Sequence, residues 1–468
     1  MIKRIFYITI LPMLLLAGCK KDYLDINQSN PNQTEQPPIN ALLANVTYQT
    51  GLNVYNAGNF TSYYLQYLAS PSVSGGSDTY DNVDRSFIWD QVYNVLQDSR
   101  VMKSIAEERS AFQHIGVANI TEAMNMSLLI DLFGDVPYTD ALNKDILKPT
   151  YDNAADIYAA CLALIDEGIV QFNKADPGIL LDTDNDLIHG GSTAAWIKTA
   201  NALKARLLNR VSKTATYNPA SVLAALGNAY TSNADDAQVS RFVARSPWNQ
   251  VAYNNTVLLL DGWLSDQFVD ALNGDTYGVE DPRLPLIGTL TKFNDYRGTA
   301  NGVGRIGTGT DDEESYLSVN GFYSKPGAPL LLITFAEMKF IEAEAKFATD
   351  KAGSYQAYLD GIAAHMDKLG VPGADKAAYL ANPVVAPGVA AFTKELLFKE
   401  KYVAMFLHPE AWTDARRFDY NYKDFTLPAN ALLSSFIRRV GYPVTEESRN
   451  AENVPAVSGL DQKLWWDQ

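Results

Sequence analysis

Three stretches of the chain set aromatic rings beside short polar side chains outside any clear helical stripe. The first holds Asp78, Tyr80, Asp81 and Asn82; the second holds Trp248, Asn249 and Tyr253; the third collects Trp263, Tyr277, Asp295, Tyr296 and Arg297. A sugar presents apolar C–H patches flanked by hydroxyls, so a flat ring beneath it and an Asp, Asn or Arg at its edge match both surfaces. Tyrosine suits such a wet face because it carries both a ring and a hydroxyl, and the chain has 26 Tyr against 19 Phe and 7 Trp. Asp78, Tyr80, Trp248, Trp263, Tyr277, Tyr296 and Arg297 are therefore the candidate ligand-contacting residues. Trp89 and Trp196 fall within helical patterns and read as core, and Trp412 is placed to pack behind Arg416.

Bond-breaking chemistry has little to work with. His114, His189, His365 and His408 form no His-Glu-x-x-His pair, and no Gly-x-Ser-x-Gly elbow accompanies them. Cys161, between Ala160 and Leu162 on a predicted helix, reads as a small buried hydrophobe. A glycosidase needs two carboxylates facing across a sugar at about 5–9 Å, a separation that plentiful acids permit but sequence spacing does not reveal. The run Asp311, Asp312, Glu313, Glu314 reads as a solvated loop face. Asp182, Asp184 and Asp186 open like a calcium loop, yet Leu187 stands where that loop needs Gly and Thr193 where it needs a bidentate Glu. Turn formation and capping before a helix near Ser192 explains them better. Structural calcium is thus unsupported, no cofactor is expected, and the glycines from Gly298 to Gly309 lack the Lys-Ser/Thr of a phosphate loop.

Holding such surfaces requires a scaffold, and helical spacing supplies it. Apolar residues recur three or four apart over 40–56, 87–107, 111–133, 153–168, 192–212 and 218–229, then over 329–350, 354–369 and 391–407. In 329–350, Leu331, Phe335, Met338, Ile341, Ala345 and Ala348 make one face, and Glu342 with Lys346 makes an exposed i,i+4 pair. Alanines at Ala159, Ala160, Ala163, Ala202, Ala343, Ala345 and Ala348 predict close helix approach, as in tetratricopeptide-like hairpins. Between about 231 and 328 the texture changes: Pro247, Pro282, Pro285 and a glycine group break long helices, and structured loops on rigid scaffolds commonly carry binding surfaces. The fold class is mainly α with an irregular, loop-rich portion.

The amino terminus sets the location. Lys3 and Arg4, an apolar run from Ile5 to Leu16, and Leu16-Ala17-Gly18 before Cys19 are similar to a bacterial lipoprotein signal, with Cys19 the lipidated residue. Residues 1–18 are then a signal peptide, 19–38 a polar tether and 39–468 a single body. Losing Lys3 and Arg4 takes the formal charge from -16 to -18. An acidic chain of this kind is no general nucleic-acid binder, because phosphate binding needs a basic surface.

Several separated phrases together resemble the SusD/RagB-like family of nutrient-binding outer-membrane lipoproteins of Bacteroidota. They are the segment ending at Cys19, Asp131-Leu132-Phe133-Gly134-Asp135-Val136-Pro137-Tyr138, Phe335-Ala336-Glu337, and Ala343-Glu344-Ala345. Further along come Glu410-Ala411-Trp412, Arg416-Arg417, and Arg439-Val440-Gly441-Tyr442-Pro443 with Glu446 and Asn450. The resemblance implies a SusD-like helical body that binds oligosaccharide noncatalytically and caps a SusC-like TonB-dependent outer-membrane transporter. Lys20, Lys21 and Asp22 look like a short surface-export signal, which implies an anchor in outer-membrane lipid facing the cell exterior. Assembly without glycan binding, peptide capture and a surface glycosidase are the alternatives. The family-matching residues read as structural: Leu396, Glu400, Val403 and Leu407 share a helical face, so Glu400 is expected to pair with Arg416 or Arg417.

Overall fold

The computed structural model describes residues 36–176, 178–258, 260–307 and 312–468, so Cys19 and most of the tether lie outside the described residues. Helix is the predominant regular element. In chain order, α1 (Ile39–Tyr64), α2 (Ser86–Glu108), α3 (Phe112–Phe133), α4 (Ala154–Phe172), α5 (Thr193–Arg210) and α6 (Pro219–Leu226) come first. The later body contains α7 (Pro247–Leu258), α8 (Asp266–Asn273), α9 (Phe335–Lys346), α10 (Lys351–Leu369), α11 (Gly373–Ala381), α12 (Lys394–Ala404), α13 (Glu410–Arg417) and α14 (Val444–Arg449).

The helix boundaries follow local chemistry. Asn153, Ser192 and Asn218 cap α4, α5 and α6 by accepting from backbone N–H groups of the first turn, and Pro219 occupies the first position of α6, where a missing N–H costs nothing. Gly134 ends α3 at φ 85°, a conformation that a side chain would strain. Successive helices then pack as hairpins. Gly116 of α3 lets Phe172 of α4 so close that an added Cβ would lie 2.6 Å from its ring. Ser354 of α10 donates to Ala343 O of α9 at 2.6 Å. Of the alanines expected at helix contacts, Ala202, Ala343 and Ala345 are buried, whereas Ala159, Ala163 and Ala348 are exposed, and glycine supplies the close approach at Gly116.

Two short ribbons tie the irregular segment to this scaffold. β2 (Ala237–Val239) pairs antiparallel with β4 (Leu330–Ile333), so the chain leaves the helical body and returns to it at one place. β1 (Leu68–Ala69), just after α1, pairs antiparallel with β3 (Trp263–Leu264) and staples the middle of the segment. The single helix expected over 329–350 is thereby corrected: Leu330–Ile333 is strand, and Thr334 caps a later start by accepting from Glu337 N. A short apolar run reads equally as strand or buried helix, and here the β2 partner decides. The segment also holds α7 and α8, short helices between its prolines. Trp248, Phe268, Leu284 and Leu317 share the hydrophobic core with the helices, so the loops sit on a packed base.

Candidate ligand-binding cleft

The first two aromatic clusters turn largely inward. Asp78 is fully buried; its carboxylate accepts from Ser70 N at 2.9 Å, Asn301 Nδ2 at 2.7 Å and Gly302 N at 3.1 Å. It staples the 70–80 loop to residues 301 and 302 and offers nothing to a ligand. Burial, outweighing these three donors, pushes its pKa up to about 6. Tyr80, buried at φ 62°, meets Tyr64 edge-on at 6.1 Å. Trp248 is buried against Tyr55 at 4.9 Å, and Asn249 donates to Ser324 O at 2.6 Å. Tyr253, one turn further along α7, faces out with the Arg245 guanidinium 3.7 Å from its ring centre.

The third cluster divides. Trp263 lies in β3 and is wholly buried, between the Arg305 guanidinium 3.9 Å from its ring and Tyr316 at 5.5 Å. The expectation that Asp78, Tyr80, Trp248 and Trp263 form an exposed platform is corrected, because internal hydrogen bonds occupy Asp78 and packing buries the three rings. Tyr277 is half-buried, with the Lys399 ammonium 5.2 Å from its ring centre. Asp295, Tyr296 and Arg297, by contrast, converge on one wall of an open cleft of about 530 Å³, inside the ~300–1,000 Å³ range of small-molecule sites.

That wall is a turn closed by its own side chains and tied at both ends to the neighbouring segment, Lys292 N donating to Asp312 O and Ser315 N to Arg297 O, each at 2.7 Å. Thr291 N donates to Asp295 O at 2.8 Å, Thr291 Oγ1 donates to the Asp295 carboxylate, and Asn294 takes φ 63° at the tip. Arg297 clamps Asp295 through Nε at 2.8 Å and Nη2 at 2.7 Å, and Arg297 with Thr291 holds that carboxyl below its ordinary range. The same guanidinium lies 4.3 Å from the ring centre of Phe293, which is 51% exposed. Leu290, as outward as Phe293, lines the cleft and was missed by the sequence reading; Phe293, two residues before Asp295, carried the same ring-beside-acid signal but is not part of the lining. The facing wall is the end of α8 and the turn after it, with Asn273, Asp275 and Glu280. A second hollow of about 740 Å³ continues past Glu280, Asp281 and Pro285 toward Pro372, Asp375 and Asn382.

The floor between the two hollows is fixed by an ion network. Arg283, with no exposed surface, reaches Asp281 through Nε at 2.8 Å and Nη2 at 2.5 Å, and Glu400 of α12 through Nη2 at 2.5 Å. Lys399 Nζ and Tyr379 OH donate to the other Glu400 oxygen at 2.6 Å and 2.8 Å. Glu400 is therefore buried and paired, but with Arg283 and Lys399 in place of Arg416 or Arg417. Arg417 is taken by Glu344 and Asp414. Arg416 donates to the carbonyls of Asp131 and Arg438, at 2.7 Å and 2.8 Å, with its guanidinium 3.8 Å from the Trp412 ring centre. Nothing in the local pattern pointed to Arg283, which lies 117 residues from Glu400 in a proline-bounded turn.

The remaining acids resolve by the same reasoning. Asp182 and Asp186 spend their oxygens on backbone N–H groups of residues 184, 185, 188, 189 and 191, a capped turn before α5. Among the described residues no group of three or more His, Cys, Asp or Glu side chains is arranged to hold a metal ion. Asp311 lies outside the described residues; Glu314, expected to be solvated, is buried and accepts from Arg305 Nε at 3.0 Å. Cys161 is a free buried thiol whose pKa burial pushes up.

Comparison with known proteins gives a consistent picture. The SusD-like_2 family model, described as "Starch-binding associating with outer membrane", matches residues 31–443. A SusD/RagB family protein of Bacteroides thetaiotaomicron is similar in structure at TM-score 0.75 and 21% identity, covering 92% of this chain and 99% of that one. A structure described as a chitin-binding protein gives TM-score 0.77 at 22% identity, with 92% and 100% covered. A chitin-binding SusD homolog from Flavobacterium johnsoniae gives 0.75 at 20% identity, with 92% and 97% covered. No curated protein matches the chain.

Proposed function

The chain belongs to the SusD-like family, and from that premise we propose that it captures an oligosaccharide at the cell surface, in the cleft beside Tyr296, and delivers it to a SusC-like TonB-dependent transporter. The observation that carries this reading is the juxtaposition, in one open cleft, of the Tyr296 ring with the Asp295–Arg297 pair and Asn294. A ring supports the apolar face of a sugar while the polar groups meet its hydroxyls. The continuation past Pro285 favours an extended chain over a monosaccharide.

Capture without bond cleavage is the proposed chemistry. Of the four carboxyls lining the cleft, Asp275, Glu280, Asp281 and Asp295, two are held below their ordinary range: Asp281 at about 2, because pairing with Arg283 and Lys399 outweighs burial, and Asp295 by Arg297. Neither keeps a proton to donate to a leaving group at neutral pH. Ionised, they also disfavour polyanionic glycans, so neutral or cationic chains are the better fit.

For the transporter, the supporting feature is an apolar rim. Val73, Ile306 and Leu432 are at least 66% exposed and are gathered by backbone bonds from Ser74 N to Gly302 O, Arg305 N to Pro71 O and Leu432 N to Thr79 O. Exposed apolar groups of this kind mark contact surfaces. Anchoring through lipid on Cys19 is proposed to hold the body at the outer membrane; no helix among the described residues is long and apolar enough to cross a membrane. Calorimetric titration with neutral oligosaccharides, chitin fragments included, tests the capture reading. Lack of binding across the series, while a transporter complex still forms, would replace it with an assembly role.

A further inference from the structure

A separate pocket of about 170 Å³ opens among the helices, between the chain just after α5, the end of α9, α12 and the end of α13. None of its lining residues borders the Tyr296 cleft. Its walls are aromatic: Phe398 and Phe418 stack at 4.3 Å with an interplanar angle of 2°, and Tyr217 and Phe347 complete the slot. At ~30 Å³ per water the volume holds about five or six waters. One ring with a short polar group fills it, and a disaccharide does not.

The polar lining has one sign. Lys213, Lys394 and Arg417 face the pocket, against a single acid, Glu344. That acid is already satisfied: it accepts from Arg417 Nη1 at 2.8 Å, Lys401 Nζ at 2.6 Å and Asn209 Nδ2 at 3.0 Å. Lys213 is engaged by Asp419 and Asp467, at 2.9 Å and 3.2 Å. Lys394 makes no ion pair among the described residues; it is exposed, with its ammonium 5.7 Å from the Phe347 ring centre. Lys351, also without an ion pair among the described residues, places its ammonium 3.4 Å from the same ring centre. Inside, Arg417 Nε is buried without a hydrogen-bond partner. In a chain of formal charge -16, the ammonium groups of Lys394 and of Lys351, the latter opposed by Glu395, put positive charge beside an aromatic slot.

We propose that this pocket binds an apolar group bearing a carboxylate, the ring or alkyl part packed against Tyr217 and the Phe398–Phe418 stack and the carboxylate at Lys394. Two sources share that chemistry: a free small organic acid, and the C-terminus of a polypeptide ending in an apolar residue. Desolvated aromatic faces supply the apolar contact, and a charge-assisted hydrogen bond from an ammonium supplies the discrimination between acid and amide.

The test is calorimetry or ligand-observed NMR on the full chain with phenylacetate and with a short peptide ending in phenylalanine, each beside its uncharged amide. Binding of phenylacetate, of the free-carboxylate peptide, or of both is the expected result, and which of them binds names the source. The amides bind at least ~10-fold more weakly, as does each acid to Lys394→Glu, a surface substitution that breaks no ion pair among the described residues. Absence of binding by both acids, amides that bind as tightly as the acids, or an unchanged affinity in K394E each overturns the proposal.

Discussion

Replacing Arg283 with Met is the sharpest test of how the cleft floor is held. The buried network contains two cations, Arg283 and Lys399, and two anions, Asp281 and Glu400, so its net charge is zero. His365, whose Nδ1 lies 3.2 Å from Arg283 Nη1, is kept neutral because burial, and then Arg283, drive its pKa well down. Met fills much of the same volume but leaves Lys399 facing two carboxylates. Removing one partner from a buried set of this kind costs ~3–5 kcal/mol. The sign of the pH dependence must also change. In the native protein burial raises the Asp281 pKa, but Arg283 and Lys399 outweigh it and hold it at about 2, below its ordinary 3.8. Its contribution, roughly 2 kcal/mol, is present above pH ~4 and lost as the pH falls toward 2. Without Arg283, burial dominates and a carboxyl takes up a proton on folding. R283M should therefore gain stability as the pH falls from 7 to 5. Urea unfolding at both pH values reads the effect as a shift in midpoint at constant slope. In the double variant Asp281→Asn with Arg283→Met, Lys399 and Glu400 balance each other again, so at least ~1 kcal/mol of the loss returns. A single-variant cost below ~1 kcal/mol at pH 7, or no recovery in the pair, refutes the account of the floor.

Tyr296→Ala removes the proposed platform and should weaken oligosaccharide binding between about 2-fold and 10-fold with an unchanged melting temperature, as calorimetry and thermal unfolding will show. Trp263→Ala should do the reverse, costing ~3–5 kcal/mol of stability by emptying a buried site, measured by the urea midpoint. Asp78, whose pKa burial raises from the ordinary 3.8 to about 6, contributes stability that is complete below pH ~4 and is lost as the pH rises through 6. The loss is roughly 3 kcal/mol, and Asp78→Asn should abolish that slope between pH 5 and 7. Gly116→Ala sets a methyl 2.6 Å from the Phe172 ring and should lower the unfolding midpoint by the equivalent of ~1–3 kcal/mol.

The difference between what the chain announces and what it conceals has a physical source. Helices α1, α2, α4 and α5 show in the sequence because each buries one face, and burial of one face imposes a period on the residues themselves, whereas α3 is buried on all sides and shows by its length and apolar content. Capping residues such as Ser192 and Asn218 are equally local. An aromatic in the irregular segment carries no such mark, since its direction depends on what pairs with its backbone. Trp263 points inward because Leu68 and Ala69, nearly two hundred residues earlier, form a ribbon with it and Leu264. Glu400 was recognisable as a carboxylate in an apolar stripe, so its need for a partner was local, whereas the identity of that partner was not.

The cluster around Asp295 stayed at the surface for the complementary reason. Thr291, Asp295 and Arg297 satisfy one another within a single turn, and Thr291 N closes it on Asp295 O at 2.8 Å. The Asp295 carboxylate thus finds its donors within the turn, while the turn's backbone is tied to residues 312 and 315 beside it, and Phe293 and Tyr296 are left outward or half-buried. Asp78 lacks such local partners. Its donors come from residues 70, 301 and 302, and reaching the last two draws the loop, Tyr80 included, into the body. Pairing of the acid's side chain within a few residues, more than aromatic content, is therefore the feature that separates the ring-bearing loop lining the cleft from those that became core. Breaking it at Arg297→Ala should loosen the turn, raise hydrogen exchange at residues 291–297, and weaken oligosaccharide binding even though Tyr296 is intact. Unaltered exchange across that turn in R297A would show that something other than the Asp295–Arg297 clamp holds the ring in place.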